Sequence, residues 1–158
     1  MEQDKAGKTL LTYGTFDMFH VGHVRLIQRM AELGERVIVG VSTDEFNLKK
    51  GKRAIFSYPY RAEIIASLKG VDHVIPEETW EQKVEDIKRH DVDLLVMGED
   101  WEGEFDYLTE YCEVRYLPRT RNVSTSSIKT AIDRLSSLGN EDLVSAIEIL
   151  EFLNRDLR

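Results

Sequence analysis

A single cysteine, Cys112, leaves this chain without a partner for an internal disulfide, so its stability must come from a packed core. That usage fits a reducing, cytoplasmic setting. The residues around Cys112 read as the end of a helix, which makes it a buried thiol rather than a nucleophile. No apolar stretch approaches the ~20 residues of a membrane span, and no signal peptide opens the chain, so membrane insertion is not expected. Glycine-rich phosphate loops are absent too: there is neither G-x-x-x-x-G-K-[ST] nor G-x-G-x-x-G. Positive charge is outnumbered, 21 Lys and Arg against 29 Asp and Glu, and the net charge of −8 argues against a general nucleic-acid surface. Repeats and low-complexity tracts are also missing. A chain of 158 residues with 42% hydrophobic residues remains, enough for one folded domain with a sizeable core.

What is present alternates. Apolar runs at residues 9–13, 36–42, 71–75, 93–98 and 113–117 read as five strands, too continuously hydrophobic for a sheet with a wet face. Helical spacing separates them. Val24, Ile27, Met30, Ala31 and Leu33 follow the first run, and Ala62, Ile65, Ala66 and Leu68 follow Pro59, which sits well as a first helical residue. Residues 80–90 carry Val84 and Ile87 inward, and residues 105–112 form a short helix. Ser124 or Thr125 caps a helix through Ile128, Ala131, Ile132 and Leu135. Residues 47–53 read as a polar loop, and Pro76 and Pro118 stop the third and fifth strands. Five alternations predict an α/β fold: a Rossmann-like, doubly wound, parallel five-stranded sheet with helices on both faces. Residues 1–138 form the domain, 1–8 being a loose tail. Residues 139–158 add a helical extension whose stripe of Leu143, Ile147, Leu150 and Leu157, widened by Phe152 and Leu153, should pack on the body or on a partner.

Ligands of such sheets bind beyond the carboxyl ends of the strands. Four unusual segments fall there: Gly14 to His23 after the first strand, the Lys49-Lys50-Gly51-Lys52-Arg53 segment after the second, Gly98-Glu99-Asp100-Trp101 after the fourth, and residues 118–127 after the fifth. Arg115, Arg119 and Arg121 add a second basic cluster. Independent loops need not agree, and their convergence on one crevice favours function over ordinary loop chemistry. With a helix starting near Val21, His20 and His23 put their rings on one side of its N-terminus, where free N–H groups and a partial positive charge suit phosphate. Two histidines there can donate to charge that develops in phosphoryl transfer. The helix end favours neutral imidazole and a bound polyphosphate favours the cation, so the sequence leaves both states open. Gly22 lets a ligand approach the backbone. Taken alone the histidines could equally be capping or surface residues, and a metal shared with Asp17 is the weaker alternative. Ser124-Thr125-Ser126-Ser127 offers more hydroxyls than one cap requires.

Gly14-Thr15-Phe16-Asp17, His20-x-Gly22-His23, Arg119-Thr120 and Ser124-Thr125-Ser126 resemble the nucleotidyltransferases of the cytidylyltransferase superfamily. Residues 42–47, residues 96–103 with their Gly-Glu-Asp-Trp-Glu-Gly core, and residues 116–120 sharpen the likeness to its glycerol-3-phosphate-using branch. The similarity runs from about residue 9 to 132. It implies a homodimer that converts CTP and sn-glycerol 3-phosphate to CDP-glycerol and pyrophosphate with Mg²⁺ carried on the CTP phosphates, for teichoic-acid-like or capsular polymers. It implies that Gly14, Thr15, Phe16 and Gly22 line the nucleotide site, and that His20 and His23 stabilise the transition state. By the same likeness Lys52, Asp100, Arg119, Thr120, Ser124, Thr125 and Ser126 hold the nucleotide, and Lys50, Trp80 and Lys83 meet the acceptor. Lys50 and Arg119 then join the histidines in catalysis, with no protein side chain assigned to metal. Lys69 and Asn122 depart from the pattern, where the family often has Arg and Gly. Rival expectations are the same chemistry with ATP or another phosphorylated alcohol, a nucleotide-binding regulator without turnover, and a tRNA-synthetase fragment, for which the chain is too short and acidic.

Overall fold

The computed structural model describes residues 7–120, 124–137, 139 and 144–148. The chain divides into two units, Met1–Val123 and Ser124–Arg158. In the first, the apolar runs become strands β1 (Thr9–Gly14), β2 (Arg36–Ser42), β3 (His73–Glu77), β4 (Leu94–Gly98) and β5 (Glu113–Leu117). Between them lie helices α1 (Val21–Leu33), α2 (Asp44–Lys49), α3 (Tyr58–Ala66) and α4 (Gln82–Arg89), with 3-10 turns at Glu99–Trp101 and Asp106–Glu110. All pairings are parallel, in the order β3-β2-β1-β4-β5. The chain winds outward from β1 to β3 and returns to place β4 on the other side of β1. The crevice of such a sheet opens at that switch, between the loops after β1 and β4.

The near-continuous apolar strands arise because both faces are covered. Leu10, Val37, Val39, Val41, Leu94 and Val96 pack with Ile27 and Met30 of α1 and Ile65 of α3. Their alternating neighbours Leu11, Ile38, Leu95 and Met97 pack with Ile87 of α4 and Leu108. Alternation along a strand thus divides one apolar run between two cores.

Several expectations change. Residues 47–49 belong to α2 rather than to a loop: Thr43 Oγ1 accepts from Phe46 N–H at 3.2 Å, and Asp44 and Glu45 stand in the first turn. Pro76 lies inside β3 instead of ending it. As an edge strand, β3 has a neighbour on one side only, and the missing N–H is tolerated. The helix expected from Trp80 starts at Gln82, the helix after Pro59 stops at Ala66, and residues 105–112 contribute only the 3-10 turn.

In the second unit α5 spans Thr125–Ser137, and residues 144–148 are helical. Val144 and Ile147 are exposed. Leu143, Leu150, Phe152, Leu153 and Leu157 of the expected stripe lie outside the described residues, as do Arg121 and Asn122. Among the described residues no helix is long and apolar enough to cross a membrane.

Candidate active site

The turn from β1 into α1 is built by its side chains. Phe16 and Met18 adopt positive φ, 53° and 48°, which non-glycine residues hold only when their surroundings enforce it. Asp17 supplies much of that enforcement. Its buried carboxylate accepts from Ile55 N–H at 2.8 Å and Phe56 N–H at 3.0 Å, tying the turn to the loop that follows the lysines. Arg61, fully buried, donates to the carbonyls of Thr15, Ser42 and Phe56 and to Asp44, at 2.6 to 2.8 Å. One guanidinium thereby joins the ends of β1 and β2, the lysine loop and the start of α2.

His20 is the N-cap of α1, and its Nδ1 accepts from Gly22 N–H at 3.0 Å. His23 Nδ1 accepts from His20 N–H at 3.3 Å, closing a reciprocal capping box with imidazoles in place of the usual hydroxyl and carboxylate. The rings stack at 3.9 Å, with Phe16 and Phe19 against His23. Because each Nδ1 is an acceptor, each neutral ring carries its proton on Nε2. Burial lowers the pKa of His20, helped by nearby Arg119. Burial and then His20 bring His23 down to about 4 against the opposing pull of Asp17. Both shifts favour the neutral imidazole near neutral pH. Capping and function are compatible: Nδ1 caps while Nε2–H remains a donor. Gly22 also makes room for the cap, since a Cβ there would lie 2.8 Å from His20 Cε1. Its N–H donates to His20 Nδ1.

The second strand's loop contributes cations. Lys50, at the end of α2, donates to Ser42 Oγ at 2.9 Å and lies 3.5 Å from Glu77 Oε2. Burial pulls its ammonium below the usual lysine range, opposed by Glu77. Lys83, which the resemblance implies meets the acceptor, is fully buried. Its ammonium sits 2.6 Å from Glu77 Oε1 among the rings of Tyr13, Trp80 and Phe105. Trp80 precedes α4 rather than sharing its face, yet meets Lys83 all the same. Phe46, Trp80, Trp101 and Phe105 form a run of ring contacts, and Lys52 lies 5.5 Å from the Trp101 ring.

The loops after β4 and β5 join at Arg119. Its Nε lies 2.7 Å from Asp100 Oδ2 and its N–H donates to Glu99 Oε1 at 2.8 Å, while Arg29 donates to the Pro118 carbonyl. Thr120 packs beside Gly22. The first unit therefore carries Gly14, Thr15, Phe16, His20, Gly22, His23, Lys50, Lys52, Trp80, Asp100, Arg119 and Thr120 at the strands' carboxyl ends and on the loops and helix starts that follow them. Ser124, Thr125 and Ser126 stand at the start of α5 in the other unit, where Ser124 Oγ accepts from Ser127 N–H at 3.0 Å as a cap.

Sequence reasoning passed over Glu77, Arg61 and Asn47. A charged residue after a proline, or inside an amphipathic helix, gives no sign that it is buried. Asn47 accepts from Thr15 Oγ1 at 2.8 Å, and its Nδ2 is buried without a hydrogen-bond partner among the described residues. Nor do these residues contain a group of three or more His, Cys, Asp or Glu suited to a metal.

Residues 11–131 match the family model described as cytidylyltransferase-like. The chain belongs to the cytidylyltransferase-like family. Within it, this cytidylyltransferase-like chain is 55% identical over 122 residues to the glycerol-3-phosphate cytidylyltransferase of Bacillus spizizenii, covering 77% of the chain and 95% of the relative. It is 50% identical over 122 residues to the protein of that name from Staphylococcus aureus, covering 77% and 92%. Among solved structures, the lipopolysaccharide core biosynthesis protein of Thermoplasma volcanium superposes with a TM-score of 0.62 at 22% identity, over 73% of this chain and 98% of that one. That likeness establishes the Rossmann-like fold and nothing more.

Proposed function

We infer that this chain is a glycerol-3-phosphate cytidylyltransferase, joining CTP and sn-glycerol 3-phosphate to give CDP-glycerol and pyrophosphate. The observation that carries the reading is the stacked His20–His23 pair beside Arg119, neutral and with Nδ1 committed to the helix start. A phosphate monoester is already anionic near neutral pH, so its oxygen attacks the α-phosphorus in line without a base, and pyrophosphate leaves. The site's work is to hold two anions together and stabilise spreading charge. Nε2–H of each histidine donates to the α-phosphate oxygens as charge builds there. Arg119, Lys52, Thr120 and the turn at Gly14, Thr15 and Phe16 hold the nucleotide. Asp100 fixes the guanidinium of Arg119. Lys50 and Lys83 serve the acceptor phosphate and Trp80 borders its carbons.

Mg²⁺ would enter carried on the oxygens of the CTP phosphates. When bound, the ion neutralises charge on the leaving pyrophosphate. The protein works as a homodimer in the cytoplasm, and light scattering should give twice 18.3 kDa. Pyrophosphate release with CTP or ATP, each against glycerol 3-phosphate and other phosphorylated alcohols, tests the reading. Turnover confined to CTP and glycerol 3-phosphate is expected. Preference for ATP or another acceptor moves the chain to a different member of the superfamily, and binding without release makes it a regulator.

A further inference from the structure

Arg119 lies on a loop, yet it is held at its backbone as well as at its side chain. The peptide unit joining Pro118 to Arg119 is bonded at both ends. Its carbonyl accepts from Arg29 Nη1 at 2.9 Å, and its N–H donates to Glu99 Oε1 at 2.8 Å. The unit is trans, so carbonyl and N–H point opposite ways and the two partners grip it from opposite sides. The proline ring fixes φ of Pro118, which leaves ψ of Pro118 and φ of Arg119 as the bonds that turn the plane. A plane held at both edges turns about neither. Arg29 belongs to α1, whose N-terminus carries His20 and His23. Its Nε also donates to the Arg25 carbonyl at 3.3 Å, which lays the guanidinium along its own helix. Glu99 opens the 3-10 turn after β4, next to Asp100, which takes Arg119 Nε at 2.7 Å.

We propose that Arg29 and Glu99 are positioning residues for the nucleotide: together they clamp the Pro118–Arg119 peptide between α1 and the loop after β4, and so aim Arg119 at the phosphates beside the histidines. Neither needs to touch CTP. Asp100 holds the guanidinium but leaves the backbone behind it free to turn, and the clamp removes that freedom. A displacement of about 1 Å near the reacting groups costs up to about 10²-fold in rate. Charge alone does not account for Glu99, because an exposed carboxylate beside a site for a polyanion repels it. Its bond to the Arg119 N–H does account for it. This deepens the glycerol-3-phosphate cytidylyltransferase reading and rests on it.

The test is steady-state kinetics, each substrate varied in turn, for Arg29→Met, Glu99→Ala, Glu99→Gln and the Arg29→Met/Glu99→Ala double variant, with urea midpoints beside them. By charge alone the first two act in opposite directions, since one removes a cation and the other an anion near CTP. The clamp requires both to raise KM for CTP, roughly three- to tenfold, with KM for glycerol 3-phosphate within about twofold of wild type. Glu99→Gln keeps an oxygen that accepts the N–H and should stay within about twofold of wild type for both substrates. The double variant should be little worse than the worse single, because either loss frees the same peptide. Both side chains lie outside the two cores, so urea midpoints should stay near wild type. A Glu99→Ala variant with unchanged or lowered KM for CTP overturns the proposal. So do single effects that multiply in the double variant, or equal rises in both KM values with a fallen urea midpoint. If Arg29→Met does not fold, the Glu99 variants decide: a KM for CTP raised by Ala and restored by Gln supports the clamp, and any other pattern overturns it. Wild-type turnover separates the two levels. Its absence sinks the functional reading and this inference together, whereas normal wild-type turnover with unchanged variants sinks only the inference.

Discussion

At the scale of single residues, one imidazole performs two separable jobs. His20 caps α1 through Nδ1, and in the proposed reaction its Nε2–H is the donor to substrate. Replacement by Ala removes both, so His20→Asn is more informative, because Asn is itself a strong N-cap. Its expected stability lies within about 0.5 kcal/mol of wild type by urea denaturation, while kcat falls roughly 10²–10³-fold and CTP binding changes less. Near-normal turnover would remove His20 from catalysis. His23 carries a pH signature. Its pKa of about 4 in the fold lies below the unfolded value of 6.5. Between those values the unfolded chain takes the proton first, so the contribution to stability is whole above the unfolded pKa and declines as pH falls toward the folded one. The loss is at most about 3 kcal/mol. Urea midpoints measured between pH 7 and pH 4 should fall further for wild type than for His23→Gln; parallel curves would show that the ring is not buried as a neutral group.

Elements are held in register here by buried charge as well as by apolar packing. Arg61 bonds to three carbonyls and a carboxylate, from the ends of β1 and β2, the lysine loop and the start of α2. Arg61→Ala leaves those acceptors without their donor and should cost about 3–5 kcal/mol by chemical denaturation. Arg61→Lys should restore only part, since an ammonium cannot reproduce the fork; a fully stable Arg61→Ala would show that packing alone orders these loops. The strands were legible in sequence because a fully covered sheet leaves unbroken apolar runs. Pro76 misled because a stop signal and an edge-strand position look the same until neighbours are known. The α2 helix was missed although Thr43-Asp44-Glu45 is a sound start, since six residues are too few for periodicity to show.

Over the whole molecule, a net charge of −8 coexists with a pocket meant for two anions. Long-range repulsion from the body should be screened by salt, and so should attraction to Lys50, Lys52 and Arg119. The exposed Lys52 and Arg119 should dominate the response. Raising ionic strength from about 50 to 500 mM shortens the Debye length below the span of the site. KM for CTP should therefore rise severalfold with kcat less affected, whereas a KM that falls with salt would mean that the acidic body governs approach.

The sequence by itself determined the alternation of strands and helices, the position of the crevice and the family, because these rest on periodicity, on strand-end loops and on contiguous motifs such as Gly14 to His23. Tertiary structure decided how individual polar groups are used. That Gly22 makes room for an imidazole, that Lys83 is enclosed by aromatic rings and that Glu77 serves two lysines depend on contacts made only on folding, several of them, as between Tyr13 and Lys83, between residues far apart in the chain. Burial and partnership set the protonation and worth of a charge, and neither is a property of a residue's place in the chain.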